Sequence, residues 1–136
     1  MEYEFEVEGK VVGKERPRVN MYTGRVYTPE KTKEYELLIQ QSFKVKYPCY
    51  EMIEGRVGIE IIAYIKIPKN TSKANTQKML DGEIGPTKKP DVDNIAKSIL
   101  DAMNNFVIHD DNQVTKICVE KRYSMKEKAY IRIYEI

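Results

Sequence analysis

The sequence predicts an α+β fold, a single domain over residues 1–136 with a mixed β-sheet, helices packed on it and a C-terminal β-hairpin. Three observations carry that prediction. Alternating apolar residues mark strands at both ends and in the middle of the chain. Two segments repeat their apolar residues at helical spacing. Strands and helices are interleaved without an internal repeat or a linker that would split the chain.

In the first strand Tyr3, Phe5 and Val7 alternate with Glu2, Glu4, Glu6 and Glu8, which gives one buried and one charged face. Residues 9–29 are irregular and basic, and the Tyr22-Thr23-Gly24-Arg25 turn predicts a short hairpin returning through Val26 and Tyr27. Thr28 is the expected cap of the first helix, with Pro29 in its first turn and Glu30 at the positive end of its dipole. Tyr35, Leu38, Ile39 and Phe43 form its apolar stripe, and Pro48 stops it. Arg56–Ile67 is apolar on both faces and so reads as a central strand. Thr71–Leu80 is expected to form a short helix with little apolar surface, followed by a loop over 82–90. The next helix spans about Asp93–Asn104. Val92, Ile95, Ile99, Ala102, Met103 and Phe106 fall on one side; Asp93, Lys97 and Asp101 stack on the other. Strands over Val114–Tyr123 and Ala129–Ile136 are expected to pair as the terminal hairpin.

Composition sets the class. The chain has 136 residues, 41% hydrophobic and 32% charged, as in a soluble globular protein. No apolar run nears the ~20 residues of a membrane span. The acidic, alternating start is unlike a signal peptide, so a cytoplasmic location is the expectation. Cys49 and Cys118 have no zinc spacing and read as ordinary thiols. His109, the single histidine, excludes a site built on a histidine pair and reads as an exposed loop residue.

Charge is unevenly placed. Residues 10–33 hold seven basic residues against two acidic, and residues 66–89 hold six against two. Residues 91–120 reverse this, with six acidic against two basic. Basic flanks around an acidic centre suit a polyanion gripped at its edges and attacked in the middle. Lys14, Arg16, Arg18, Arg25, Lys73, Lys88 and Lys89 are the candidate phosphate contacts. Taken singly, any such loop is more commonly just solvated.

The acidic centre holds the chemistry. Asp91 and Asp93 open a helix; Asp110 and Asp111 precede a strand; Lys97 lies between the pairs. Clustered carboxylates repel unless a cation sits among them. Mg²⁺ takes such oxygen ligands, keeps several waters and contacts phosphate. Taken alone, Asp91-x-Asp93 also fits an N-cap with a first-turn partner, and Asp110-Asp111 fits a turn. An EF-hand loop is excluded, because Ile95 and Ala96 stand where an oxygen ligand and a glycine are required.

The combination is more specific. Lys88-Lys89-Pro90-Asp91-Val92-Asp93-Asn94, Lys97, Asp101-Ala102, Asp110-Asp111-x-Gln113-Val114 and then Lys121-Arg122-Tyr123 closely resemble the RusA family of Holliday junction resolvases. Gly85-Pro86-Thr87 ahead of this run resembles the longer, often phage-encoded members. The first strand, the Lys14–Arg18 loop and the Thr28-Pro29 helix start resemble the family more loosely. The resemblance implies catalytic, metal-holding carboxylates at Asp91, Asp93 and Asp111, with Asp110 as a further metal candidate, and a functional lysine at Lys97. It implies Mg²⁺, with Mn²⁺ as a substitute, acting on a four-way DNA junction. It further implies a homodimer placing paired symmetric nicks in recombination and repair. Asn94 and Asp101 read as structural or supporting residues, and Lys97 can also pair with Asp93 or Asp101 one turn away. Two rival readings share these residues: a flap or branched-DNA nuclease, and a non-catalytic branched-DNA-binding protein.

Overall fold

A computed structural model describes residues 1–136 as one α+β body. In chain order it runs β1 (Glu2–Glu8), β2 (Arg18–Val19), β3 (Val26–Tyr27), α1 (Glu30–Lys46), β4 (Val57–Lys66), α2 (Lys73–Leu80), α3 (Val92–Met103), β5 (Val114–Ser124) and β6 (Lys128–Glu135). The main sheet has the order β1-β6-β4-β5, and β2 and β3 make a separate two-stranded ribbon. β6 is antiparallel to both β1 and β4, whereas β4 and β5 are parallel. The sheet is therefore mixed.

The inner face follows from period-2 alternation. Tyr3, Phe5 and Val7 of β1, Ile131 and Ile133 of β6, and Val57, Ile59 and Ile61 of β4 are all buried. They pair in register: Phe5 faces Ile131, which faces Ile61. α1 covers them with Tyr35, Ile39 and Phe43, and α3 with Ile95, Ile99, Ala102 and Met103. Each fully buried Ile, Leu or Phe stabilises by roughly 1.5–3 kcal/mol, so this face holds the fold. The outer face carries the expected charges. Arg132 bridges Glu2 at 3.0 Å and Glu60 at 3.1 Å, and Lys128 meets Glu6 at 3.1 Å. Tyr130 donates to Glu4, which with partial burial pushes its hydroxyl up to about 12.

Several expectations hold: the short hairpin, the central β4 and the helix with almost no apolar surface, whose residues are none of them buried. Two need correction. The C-terminal strands are both present and oppositely directed, but β4 lies between them and they share no ladder. The three residues joining them bridge the end of one strand, since four Cα steps reach about 13 Å and two strand spacings are about 10 Å. Residues 124–128 have no Asn-Gly or Asp-Gly turn to hold a tight hairpin. Inserting β4 places the most apolar strand in the interior of the sheet. The second correction is at α1, which begins at Glu30 with Pro29, not Thr28, in the cap position and no side-chain cap. Pro29 keeps an extended ψ of 142°, so the helix starts one residue late. Phe106 likewise falls beyond α3, yet still packs on Phe43 with ring centroids 5.5 Å apart.

Candidate active site at the start of helix α3

α3 presents the acidic residues because its opposite side is anchored in the core. Ile95, Ile99, Ala102 and Met103 are buried, so Asp93 and Lys97 must face outward. Asp91 is the N-cap residue, but its side chain makes no cap hydrogen bond. Capping would have been its ordinary structural task, and that task is not being performed. Asp93 and Asp111 also form no hydrogen bond or ion pair through their carboxylates.

The other two aspartates behave differently. Asp101 accepts ion pairs from Lys14 at 3.0 Å and, more loosely, Lys97 at 3.8 Å. Asp110 caps a single 3₁₀ turn, Asp111–Gln113, its Oδ1 accepting from the Asp111 amide at 2.8 Å. Of the adjacent pair, Asp111 has the free carboxylate and Asp110 holds the turn that carries it.

A conformationally demanding loop is pressed against the helix start. Ser98, buried on α3, donates to the Val12 carbonyl at 2.9 Å, and the Lys14 amide donates to the Asn94 carbonyl at 2.8 Å. Gly13 makes this approach possible: a Cβ there would lie 3.0 Å from Asn94 Cβ and 3.1 Å from Pro90 Cβ. The loop and the acidic helix start thus form the two walls of a cleft of about 750 Å³. Arg16, Arg18, Lys31 and Lys89 line it together with Asp91 and Asp93. A second cleft, about 460 Å³, lies between α3 and β5. There Asp93, Lys97 and Asp111 rim a floor of Leu100, Ile117 and Val119. Asp93 borders both clefts and so joins the Asp91 side to the Asp111 side. A separate groove near Met1, Tyr3 and Tyr50 is mainly apolar and lacks these donors.

No three carboxylate, thiol or imidazole groups of the chain gather closely enough to form a complete metal cage. The donor set nonetheless fits Mg²⁺. The ion usually takes only one or two carboxylates and completes its shell with water and substrate phosphate. Asp91, Asp93 and Asp111 offer hard oxygen donors that nothing else in the chain engages.

The basic residues divide. Arg16 is exposed and has no acidic partner, while Arg18 pairs with Glu15 at 3.3 Å at the surface. Lys89 stands in the first cleft, and Lys88 is exposed beside it with its carbonyl held by Lys121 Nζ at 2.8 Å. Arg25 lies on the ribbon and Lys73 opens α2, and neither lines the two acidic clefts. Lys14 also lines the first cleft, but it is engaged within the chain. Its Nζ sits 2.7 Å from Glu36 and 3.0 Å from Asp101, with only 15% of the side chain exposed. Partial burial opposes its charge, but the hydrogen bonds it donates to Glu36 and Asp101 outweigh that and raise its pKa above the ordinary lysine value. Lys14 thus ties the loop to α1 and α3 while also lining the first cleft. Because its folded pKa is raised, its stabilisation is complete below the ordinary lysine range and is lost only as pH rises above it. Lys14→Met should therefore lower stability at pH 7 by roughly 1–2 kcal/mol, from two lost charge-assisted bonds partly screened by solvent. Thermal melts at pH 7 measure it; an unchanged melting temperature would mean the bridge is only decorative.

Two residues have structural roles that sequence reasoning did not assign. Gln113 has only a motif position in the sequence, yet its side chain makes four hydrogen bonds. Nε2 donates to the Ile53 and Gly55 carbonyls, and Oε1 accepts from the His109 and Asp110 amides. Glu36, the partner of Lys14, left no local signal. His109 is exposed as expected, 2.8 Å from Glu54, and both cysteines are free and exposed. No helix is long and apolar enough to cross a membrane.

Against known proteins, residues 8–134 match the family described as Endodeoxyribonuclease RusA. The match includes the basic loop, α3, both acidic pairs and the strands β4, β5 and β6 up to residue 134, whereas β1 lies outside it except for Glu8. The chain is also 33% identical over 139 residues to YqaN of Bacillus subtilis (strain 168), described as an uncharacterized protein. That similarity covers 97% of this chain and 95% of YqaN.

Proposed function

The chain belongs to the RusA endodeoxyribonuclease family, and from this premise we propose that it is a cytoplasmic, Mg²⁺-dependent resolvase of four-way DNA junctions. It would act as a homodimer in recombination and repair, making paired symmetric nicks. The observation that carries the reading is the set of three aspartates without intrachain partners, beside a cleft walled by Arg16, Arg18 and Lys89.

Asp91, Asp93 and Asp111 are the residues that would hold the ion, with Mn²⁺ as a substitute. A bound Mg²⁺ supplies Lewis-acid polarisation of the scissile phosphate and eases ionisation of the attacking water. Lys97, exposed on the rim it shares with Asp93 and Asp111, offsets charge building on the phosphate. Its loose contact with Asp101 costs little to break on an exposed helix. Arg16, Arg18 and Lys89 grip the backbone on either side. Asp110 is assigned to holding the turn under Asp111. Water adds to phosphorus, the P–O3′ bond breaks, and a 5′-phosphate and a 3′-hydroxyl remain. Two such nicks placed across a two-fold axis separate a junction into ligatable duplexes.

The test is cleavage of a synthetic four-way junction beside a flap and a plain duplex. Mg²⁺ and Mn²⁺ should support symmetric nicks in opposing strands. Ca²⁺ should support binding with little cutting, because its larger, looser shell positions water poorly. Full activity in EDTA would remove the metal from the mechanism. Cutting of the flap alone would replace the substrate, and tight binding without cutting of any DNA would make this a binding protein.

A further inference from the structure

The β2–β3 ribbon carries apolar surface that neither the core nor the acidic clefts use. Met21 is 90% exposed and Tyr22 99%, and Val19, Val26 and Tyr27 are exposed around them. We propose that this tip is a base-stacking contact, Tyr22 and Met21 packing on bases opened at the branch point of the DNA while Arg18 and Arg25 hold the adjoining phosphates. The proposal rests on the nuclease reading above.

The tip is built to hold its side chains outward. Asn20 Oδ1 accepts from the amides of Tyr22 at 2.9 Å and Thr23 at 3.2 Å. The Gly24 amide donates to the Asn20 carbonyl at 2.8 Å, and the Asn20 amide donates to the Arg25 carbonyl at 2.8 Å. Gly24 has a φ of +70°, a conformation costly for most other residues. The turn's shape thus depends on none of the atoms in the Tyr22 ring. A ring held in water without a partner is available to a ligand at little conformational cost.

Charge identifies the ligand. From Pro17 to Pro29 the only ionic groups are Arg18 and Arg25, with no acidic residue. Aromatic and thioether surface between two guanidiniums suits a polyanion with flat apolar faces, which is an unstacked nucleic-acid strand. A second copy of the chain fits less well. Ten residues of ribbon fall far short of the roughly 800 Å² per partner of a stable protein interface.

Position links the tip to the chemistry. Arg18 opens β2 and also lines the cleft holding Asp91 and Asp93. Tyr22 is four residues farther on, at most about 13 Å at a strand's rise. One bound junction can therefore meet both. A contact that needs splayed bases favours a branch point over continuous duplex, whose bases are already stacked.

The test compares parent, Tyr22→Ala and Tyr22→Phe, each in the Asp93→Asn background so that binding is read without cutting. Tyr22→Ala should weaken junction binding about 5- to 150-fold, the effect of removing one base–aromatic stack. Its affinity for plain duplex and its salt slope should stay at the parent values. Tyr22→Phe should bind as the parent does, since the ring alone stacks. A branch-point 2-aminopurine should change its emission on binding the parent and not on binding Tyr22→Ala. Equal junction affinity for parent and Tyr22→Ala overturns the proposal, as does an equal loss on duplex. Loss of a dimer in Tyr22→Ala by analytical ultracentrifugation overturns it too and makes the ribbon a subunit contact. If the unsubstituted chain, with Asp93 intact, neither binds nor cuts a junction, the nuclease reading falls and the stacking contact with it. If the unsubstituted chain does both while Tyr22→Ala in the Asp93→Asn background binds as its parent does, only the stacking contact falls.

Discussion

Asp93→Asn is expected to lower junction cleavage at least about 100-fold while leaving the fold and DNA binding intact. Even partners that only orient a metal ligand typically cost 10–100-fold when removed, and this substitution removes a candidate ligand's charge outright. Asp93 is the most exacting choice because it borders both clefts, so its loss separates Asp91 from Asp111. The side chain is exposed and unpaired, so Asn at the same volume breaks no internal bond. Removing a negative charge beside a phosphate also relieves repulsion, so junction affinity should hold or rise. Single-turnover cleavage beside a binding titration reads both. Parent-like cleavage at saturating Mg²⁺ would remove Asp93 from the site. A matching loss in Asp111→Asn, but not in Asp110→Asn beyond a loss of stability, would separate the two neighbours.

Gln113→Glu should damage both stability and cleavage, although residue 113 touches no proposed ligand. The Gln113 amide nitrogen donates to the carbonyls of Ile53 and Gly55 at 2.9 and 2.8 Å. A carboxylate would put an acceptor against two acceptors and leave both without a donor. Each loss of a buried or half-buried partner costs about 1–3 kcal/mol, so roughly 2–4 kcal/mol in total is expected, partly offset by water at the exposed Gly55. The Oε1 bonds to the His109 and Asp110 amides would survive in Glu. Gln113→Ala loses all four and should be at least as unstable. Because those bonds hold the turn that bears Asp111, cleavage should fall further than the unfolded fraction explains. Denaturant melts together with cleavage at a temperature where both proteins are folded make the measurement. A stable Gln113→Glu protein with parent activity would sink the positioning role.

Much of the candidate site is legible in the sequence because its signals are local. Asp91, Asp93, Lys97, Asp110 and Asp111 occupy one short stretch, and a 3.6-residue period sends Asp93 and Lys97 away from Ile95 and Ile99. Which carboxylates were free was not legible. Asp91 in a cap position and Asp111 after Asp110 each had a structural use equally well written in the sequence. The ion pairs of Lys14 were not legible either: a lysine in a basic loop carries no mark of the partner it will find. Its partners Glu36 and Asp101 come from two helices 22 and 87 positions away.

By itself the sequence determined the α+β class, the strand and helix segments, the interior position of β4, the charged outer face of β1 and the candidate acidic centre. Each of these depends on side-chain periodicity or on neighbours within a turn or two, so residue order suffices. Only the tertiary structure decided that β4 would separate the last two strands, that Asp110 would cap while Asp111 stayed free, and that Lys14 would bind the fold together. Strand neighbours and ion-pair partners are chosen by which segments can jointly bury their apolar faces and satisfy their polar groups. That choice is made among residues far apart in the chain, where spacing carries no information.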